Sequence, residues 1–278
     1  MQETIAIVFD FDDTLAPDTT TGFLDWAGIG DVGAFWAEDV APLITEGWDP
    51  VPAYMFAMIE AARAGRCRPL TRESFAEWGA IAPLHRGVPE LFAHLRAAAR
   101  SENPRAQLEF YVISSGIGDV LRATGIADAF TAIWSSEFAY GADDAARFAR
   151  RVVSFTDKTR YLFHVQKGLI GAEADRNPFA VNRRIPAERL RVPLANMIFV
   201  GDGYTDIPCF SLLEQNGGTP IAVYDPQRPD KWRRAFDFVR EGRVRTLHSA
   251  NYEAGSDLNN VLTMATAAIA ADLEQRTR

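Results

Sequence analysis

The first apolar run of this chain, IAIVF at residues 5–9, ends directly in the acidic hexapeptide DFDDTL. An uninterrupted apolar run of this kind is typical of a strand that is buried on both faces of a sheet. Asp10 and Asp12 therefore lie two positions apart at the point where a buried strand must stop. Two carboxylates held so close repel each other, so they need a cation, a shared proton or a reaction to stabilise them.

Apolar runs alternate with helical patterns along most of the chain. Strands are predicted at residues 5–9, 108–113, 131–135, 196–200 and 219–224. Helices are predicted at residues 89–100, 118–126, 156–169 and 205–213, with a closing amphipathic helix at 258–275. This order predicts an α/β fold with a doubly wound, mainly parallel Rossmann-like sheet, whose ligands bind outside the carboxyl ends of the strands.

Residues 18–85 interrupt this alternation, because their patterns are helical throughout. We predict that they form an inserted all-helical cap domain, and that residues 1–17 and 86–278 form the catalytic core. Much of the chain's aromatic content lies in the insertion, including Trp26, Trp36, Trp48 and Trp78. We interpret these rings as a small helical core, with a substrate-stacking surface as the alternative.

A second acidic motif, GDGYTD at residues 201–206, directly follows the predicted strand at 196–200. It places Asp202 at the end of that strand and Asp206 on the turn or helix start beyond it. Either aspartate alone would be interpreted as a turn or capping residue. Together with Asp10 and Asp12, however, Asp202 gives three acids that converge from two strands. A few carboxylates with open positions are typical of Mg²⁺, which keeps waters and takes a ligand from a phosphate.

Two further signals are weak when each is judged alone. The sequence VISSG, residues 112–116, places Ser114 and Ser115 at the end of a third strand, and Gly116 and the following helix start offer backbone amides to an anion. Ser-Gly after a strand is also a common entry into a helix. Lys158 lies near the start of a predicted helix, where the helix dipole disfavours a cation, and a solvated lysine is the alternative interpretation.

The composition limits the partners and the compartment. The 29 basic and 37 acidic residues give a formal charge of -8, which argues against nucleic acid or an anionic membrane as the main partner. Cys67 and Cys209 are the two cysteines, so a disulfide framework or a thiolate zinc site is not expected. No apolar stretch approaches the roughly 20 residues of a membrane span, and the first residues do not have the pattern of a signal peptide. We predict a cytoplasmic protein.

Taken in order, these residues resemble the haloacid dehalogenase superfamily, whose members carry DxDxT, a strand-terminal serine or threonine, a lysine and GDxxxD. The matching positions here are Asp10, Asp12 and Thr14; Ser114; Lys158; and Gly201, Asp202 and Asp206. Ser115 and Lys167 are the second choices for the two middle motifs. The insertion is similar to the helical cap of the phosphoserine-phosphatase-like branch.

The resemblance implies a phosphatase that acts on a small phosphorylated substrate with Mg²⁺. Asp10 would be the nucleophile that forms an aspartyl-phosphate, and Asp12 would serve as acid and then as base. Mg²⁺ would be held by Asp10, the Asp12 backbone carbonyl and Asp202. The residues expected to bind the phosphate are Thr14, Ser114, Ser115, Gly116 and Lys158. Thr14 would also fix the loop of the first motif. Asp206 would support the metal or hold Lys158.

Other questions stay open at the level of the sequence. A phosphotransferase or phosphomutase would use the same aspartyl-phosphate chemistry, and a non-catalytic binding or regulatory module is a third hypothesis. Four arginines of the insertion would either meet an acidic substrate or lie on a solvated helix face: Arg63, Arg66, Arg68 and Arg72. The three threonines at residues 19–21 fit either a cap hinge or a helix N-cap. The segment 136–191 is long enough to contain an extra hairpin or a second lid. The substrate and the oligomeric state are not predicted.

Overall fold

The computed structural model describes residues 3–277, without the side chains of residues 230, 234 and 277. The predicted core therefore includes residues 1, 2 and 278, which lie outside the described range. Seven strands form one sheet in the order β4-β3-β2-β1-β5-β6-β7. They are β1 (Thr4–Phe9), β2 (Gln107–Ile117), β3 (Ala132–Tyr140), β4 (Ala146–Arg151), β5 (Met197–Gly201), β6 (Thr219–Tyr224) and β7 (Leu247–Ser249).

Helices connect the strands. They are α1 (Thr19–Trp26), α2 (Val32–Ala34), α3 (Ala41–Thr45), α4 (Pro50–Arg63), α5 (Arg72–Ile81), α6 (Val88–Glu102), α7 (Gly118–Ala123), α8 (Asp157–Lys167), α9 (Ala172–Arg176), α10 (Ile207–Gln215), α11 (Pro229–Arg240) and α12 (Asp257–Thr277). A π-helical turn, Phe35–Val40, joins α2 to α3. Short 3₁₀ turns lie at Ala127–Ala129, Pro178–Asn182, Ala187–Arg189, Leu194–Asn196 and Tyr204–Asp206.

The central strand β1 shows why the sheet is covered on both faces. Ile5, Ile7 and Phe9 pack into one hydrophobic cluster, and Ala6 and Val8 pack into a second one. Side chains alternate between the two faces of a strand, so a run that is apolar at every position must be buried on both. Helices α6 and α12 cover the first face, and α8 and α10 cover the second. The predicted doubly wound, mainly parallel fold is confirmed.

The insertion between β1 and α6 is helical, as predicted. It consists of α1 to α5 and the π-helical turn, and it packs against the rest of the protein mainly through α5 and α7. The two helices approach closely at Gly79, where a Cβ atom would lie 2.4 Å from the backbone oxygen of Val120. The division of the chain into a core and a cap domain stays a prediction.

The segment 136–191 includes an extra hairpin, one of the two alternatives that its length suggested. Strand β3 is longer than predicted because its second half pairs with β4, which is antiparallel to it. The hairpin also contacts the insertion. Ala146 N donates to Leu70 O at 2.8 Å, and the rings of Phe75 and Phe138 are stacked with centroids 5.6 Å apart.

The strand register brings the predicted site residues to one edge of the sheet. Phe9 of β1 lies opposite Val112 of β2 on one side and Val200 of β5 on the other. All three strands are parallel, so Asp10, Ser114 and Asp202 follow these partners at the same carboxyl edge. None of the helices within the described range is both long and apolar enough to cross a membrane.

Candidate active site

A cavity of about 510 Å³ opens at this carboxyl edge, between the sheet and the insertion. Its walls combine residues from the predicted motifs with residues from α4, from the π-helical turn and from α11. The lining residues include Asp10, Asp12, Trp36, Tyr54, Ser115, Gly116, Phe155, Asp202, Tyr204 and Lys231.

Asp10 is fixed where β1 leaves the sheet. Its amide donates to Val200 O at 2.8 Å, and its Oδ1 accepts from the amide of Phe11 at 2.7 Å. Its Oδ2 lies 2.7 Å from Nζ of Lys158. Burial raises the pKa of Asp10 to about 6, and the nearby Lys158 opposes that shift. The contact with Lys158 therefore favours the ionised carboxylate against the effect of burial.

Lys158 lies in the first turn of α8 and is fully buried. Its Nζ lies 2.6 Å from Oδ1 of Asp206 in addition to its contact with Asp10. Burial lowers the pKa of Lys158, but the two carboxylates outweigh it and raise that pKa above its ordinary value. Lys167, the second choice for this motif, donates instead to backbone carbonyls of Val181 and Arg183.

The carboxylates of Asp10, Asp202 and Asp206 form a compact cluster, with one oxygen of each lying within 4.8 Å of the others. Both oxygens of Asp206 already have partners, because Oδ1 accepts from Lys158 and Oδ2 accepts from the amide of Gly203 at 2.9 Å. Asp206 thus holds the lysine, one of the two roles expected of it. Buried carboxylate oxygens from Asp10 and Asp202 are hard, anionic donors and fit a Mg²⁺ ion.

Asp12 has a different environment from Asp10. Its Oδ1 accepts from the amide and the hydroxyl of Thr19, at 2.8 and 2.6 Å. Its Oδ2 lies against Gly116, where a Cβ atom would come within 2.6 Å of it. Burial, with the nearby charge of Asp18, raises the pKa of Asp12 to about 8. Burial therefore favours the protonated form of Asp12, whereas the contact with Lys158 favours the ionised form of Asp10.

Ser114, Ser115 and Gly116 lie inside β2 and not beyond its end. Ile113 pairs with Trp134, and Ile117 pairs with Ser136. Between these two pairs β2 advances by four residues while β3 advances by two. This bulge carries the strand on to Ile117, and α7 begins at Gly118, where the helix was predicted to begin. Ser114 is fully buried, and its Oγ accepts from the amide of Gly116 at 3.0 Å. Ser115 lines the cavity, and its buried hydroxyl has no partner among the described residues.

Thr14 is buried below the cavity and does not line it. Its carbonyl accepts from the hydroxyl of Tyr252 at 2.9 Å, which ties the first motif to the segment before α12. The preceding Asp13 has a left-handed backbone, φ 58°, and its carboxylate contacts Nζ of Lys231. Neither Tyr252 nor Lys231 was predicted to be near the site. Each lies more than 200 positions from its partner, and no local sequence pattern marks such a contact.

The threonine cluster and the arginines of the insertion have separate roles. Asp18, not a threonine, caps α1, while Thr19 binds Asp12 and Thr20 lines the cavity. The four arginines do not line the cavity, and each faces an acid elsewhere. These pairs are Arg63 with Glu60, Arg66 with Asp39, Arg68 with Glu77 and Arg72 with Asp144. The solvated-face interpretation therefore describes them correctly.

Residues 7–211 match the haloacid dehalogenase-like hydrolase family. Over 286 aligned residues the chain is 26% identical to an uncharacterized protein of Borreliella burgdorferi, and the alignment covers 92% of this chain and 94% of that protein.

Solved structures of the same fold include two larger bacterial chains. A probable phosphoserine phosphatase from Vibrio cholerae has a TM-score of 0.57 and 15% identity, covering 97% of this chain and 67% of that one. A HAD family hydrolase from Salmonella enterica serovar Typhi has a TM-score of 0.55 and 15% identity, with 88% and 66% covered. This chain thus spans about two thirds of each.

A third similar structure is a phospho-aspartyl intermediate analogue of phosphoserine phosphatase. It has a TM-score of 0.52 and 14% identity, and the alignment covers 94% of this chain and 98% of that one. At these identities the three structures establish a shared fold.

Proposed function

This chain belongs to the haloacid dehalogenase-like hydrolase family, and we propose that it is a Mg²⁺-dependent phosphatase for a small-molecule phosphomonoester. The observation that carries the proposal is the pair of unequal aspartates at the end of β1. Asp10 lies 2.7 Å from Nζ of the buried Lys158, while Asp12 lies in the same cavity, accepts hydrogen bonds from Thr19 and has its pKa raised by burial.

The first half of the reaction uses both aspartates. The Asp10 carboxylate attacks phosphorus, a P–O bond forms to Asp10, and the P–O bond to the substrate alcohol breaks. Asp12 transfers its proton to the departing alkoxide oxygen, so a neutral alcohol leaves. The raised pKa of Asp12 suits this role, because an ordinary aspartate has no proton to give at neutral pH.

The second half returns the enzyme to its starting state. Asp12, now a carboxylate, takes a proton from water as the water oxygen attacks the phosphorus of the aspartyl-phosphate. The P–O bond to Asp10 breaks, inorganic phosphate forms, and Asp12 again carries its proton. Lys158 balances the charge on Asp10 throughout, and Asp206 holds Lys158 in place.

The phosphate has hydroxyl and amide donors in the β2 bulge. We assign the first choice to the Ser114 hydroxyl, which lies beside Gly116 together with the carboxylate of Asp12. A Cβ atom at Gly116 would be 3.2 Å from Ser114 Oγ and 2.6 Å from Asp12 Oδ2. Ser114 Oγ accepts from Gly116 N, so its own proton is available for a phosphoryl oxygen. Ser115, which lines the same cavity and has a buried hydroxyl without a partner among the described residues, is the second choice.

Mg²⁺ would be held by the carboxylates of Asp10 and Asp202 and by the backbone carbonyl of Asp12. When bound, it would offset the repulsion between the Asp10 carboxylate and the phosphate dianion. The donor set supports this proposal, because buried carboxylate oxygens of Asp10 and Asp202 lie together at the edge of the sheet and are the hard, anionic donors that Mg²⁺ prefers.

The test is phosphate release from a panel of sugar, amino-acid, nucleotide and cofactor phosphates with Mg²⁺. The protein should release phosphate from at least one of them, and Asp10→Asn should abolish the release. Asp128→Asn, a change at an exposed aspartate of the core, is the matched control and should keep full activity.

Acid quenching during turnover adds a direct readout of the intermediate. A phosphoryl group should be found on the peptide that contains Asp10. Phosphate release that survives Asp10→Asn would overturn the mechanism. Transfer of the phosphoryl group to a second alcohol without net phosphate release would identify a phosphotransferase instead.

A further inference from the structure

Four aromatic side chains line the cavity, and each comes from a different segment of the chain. Trp36 lies on the π-helical turn, Tyr54 on α4, Phe155 on the loop between β4 and α8, and Tyr204 on the 3₁₀ turn after β5. Packing in the helical core of the insertion can account for Trp36 and Tyr54. It cannot account for Phe155 and Tyr204, because these two residues lie outside the insertion. The convergence of rings from both parts of the chain is a feature of the cavity itself.

Trp36 and Tyr54 have their polar atoms engaged with the protein. Nε1 of Trp36 donates to Thr21 Oγ1 at 3.2 Å, and the Tyr54 hydroxyl donates to the carbonyl of Ser115 at 2.7 Å. Their rings contact each other edge to face, with centroids 6.0 Å apart. With these polar atoms bound, the two side chains offer the cavity mainly ring surface.

Phe155 and Tyr204 are exposed although they are large aromatic side chains. Their relative exposures are 42% and 58%. Phe155 also has φ 37°, a left-handed backbone that a bulky residue rarely adopts. Strained backbone of this kind concentrates at ligand-binding sites, where the surrounding structure imposes it. The Phe155 ring is held at the cavity by a strained loop and is only partly covered by the protein. We interpret it as a ring that contacts a ligand.

The cavity offers little to a second anionic group on the substrate. Among the described lining residues the basic side chain is Lys231, and its Nζ already contacts the carboxylate of Asp13. Lys158 is buried behind Asp10, and the arginines of the insertion do not reach the cavity. Asp18 adds a negative charge to the wall. Among the described lining residues, a leaving group with a carboxylate would therefore find no free cation to receive it.

We infer that the phosphomonoester carries a planar aromatic or heteroaromatic leaving group with no anionic substituent. This inference rests on the phosphatase function proposed above and narrows its substrate class. Ring faces and edges from Trp36, Tyr54, Phe155 and Tyr204 recognise such a group through aromatic contacts. The same cavity contains Asp10 and Asp12, where the phosphate of such an ester would react.

The test compares matched phosphomonoesters with Mg²⁺: benzyl phosphate, cyclohexylmethyl phosphate and O-phosphoserine. The two cyclic substrates have similar size and differ in planarity and π-electrons. We expect kcat/KM for benzyl phosphate to exceed that for cyclohexylmethyl phosphate by about tenfold, because aromatic pairs gain energy beyond burial of apolar area. O-Phosphoserine should be the poorest of the three.

Two variants test which rings are responsible. Phe155→Leu and Tyr204→Leu should each reduce the benzyl preference to about threefold or less, since leucine keeps apolar area and loses the ring. Phe148→Leu is the matched control, because Phe148 is an exposed ring on β4 that does not line the cavity. It should leave the preference unchanged. Equal use of the two cyclic substrates, or a preference for O-phosphoserine, would overturn the inference.

Binding to Asp10→Asn separates this inference from the proposed function. Calorimetry on that variant should show tighter binding of benzyl phosphate than of cyclohexylmethyl phosphate, by about tenfold, whether or not the protein turns either over. Phosphate release that favours an aliphatic ester would leave the phosphatase function standing and remove the aromatic substrate class. Absence of release from every ester, with the binding preference intact, would remove the phosphatase function alone.

Discussion

The hydroxyl of Thr19 donates to Oδ1 of Asp12 at 2.6 Å, and the Thr19 amide donates to the same oxygen at 2.8 Å. Thr19 is the first residue of α1, so the proposed acid and base is held by the first turn of the insertion. The insertion therefore does more than cover the cavity. It sets the direction of the carboxyl group that must exchange a proton with the leaving oxygen and later with water.

Thr19→Val tests this positioning role. Valine keeps the branched shape and the amide but lacks the hydroxyl, so one of the two hydrogen bonds to Asp12 is lost. We expect kcat to fall about tenfold while KM changes little, because the hydrogen bond orients Asp12 and does not touch the substrate. Steady-state kinetics on the best phosphate ester measures both constants. Thr19→Ser restores the hydroxyl and should recover most of kcat, and equal losses in the two variants would contradict the role.

Lys158→Gln should lower both stability and activity. The change leaves the buried carboxylates of Asp10 and Asp206 without their shared cation, which costs about 3–5 kcal/mol for a broken buried pair. Urea unfolding without metal measures the loss of free energy, and phosphate release should fall by more than about a hundredfold. Lys167→Gln is the control, because Lys167 binds only backbone carbonyls of the loop after α8. A comparable loss of activity in that control would reassign the motif.

Ser114→Ala and Ser115→Ala together decide which hydroxyl binds the phosphoryl group. We expect Ser114→Ala to reduce kcat/KM by about 10- to 100-fold, since a lost donor to a charged oxygen costs about 1.5–3 kcal/mol. Ser115→Ala should reduce it by no more than about threefold. Both variants should unfold within about 1 kcal/mol of the parent protein, because each removes a single hydroxyl. The reverse order of effects would assign the phosphate contact to Ser115.

The sheet and its acidic edge were predictable because their signals are local. A strand buried on both faces must be apolar at every position, so the runs at 5–9 and 196–200 mark where Asp10 and Asp202 emerge. The β2 bulge was not predictable, because its extra residues are defined only by the pairing of Ile113 and Ile117 with β3. The register between two strands depends on both strands, so it cannot be predicted from the sequence of β2 alone.

The residues of the insertion that line the cavity were less predictable than the acidic residues at the carboxyl edge of the sheet. The aromatic residues of the insertion indicated a helical core. Phe35 is buried, and Trp26 and Trp78 pack against the same hydrophobic cluster as that interpretation expects, whereas Trp48 is 40% exposed. Trp36, the neighbour of Phe35, lines the cavity instead. An apolar pattern in a helix predicts that a face is covered, and it does not say whether protein or ligand covers it.

Metal binding gives the last prediction. The buried carboxylates of Asp10 and Asp202 place oxygens within 4.8 Å of each other and fit Mg²⁺, so Mg²⁺ should bind the folded protein and raise its unfolding midpoint. At a Mg²⁺ concentration about 100 times the Kd, the gain is about 2.7 kcal/mol, or roughly 5 °C or more for a chain of this size. Thermal unfolding with Mg²⁺ and with a chelator measures the shift.

Asp202→Asn should lose most of this shift and most of the activity. Asp128→Asn, at an exposed position of the core, should keep the full shift. Full phosphate release in the presence of the chelator, or an equal Mg²⁺ shift in Asp202→Asn and Asp128→Asn, would remove Asp202 from the metal site and require another explanation for the buried acids.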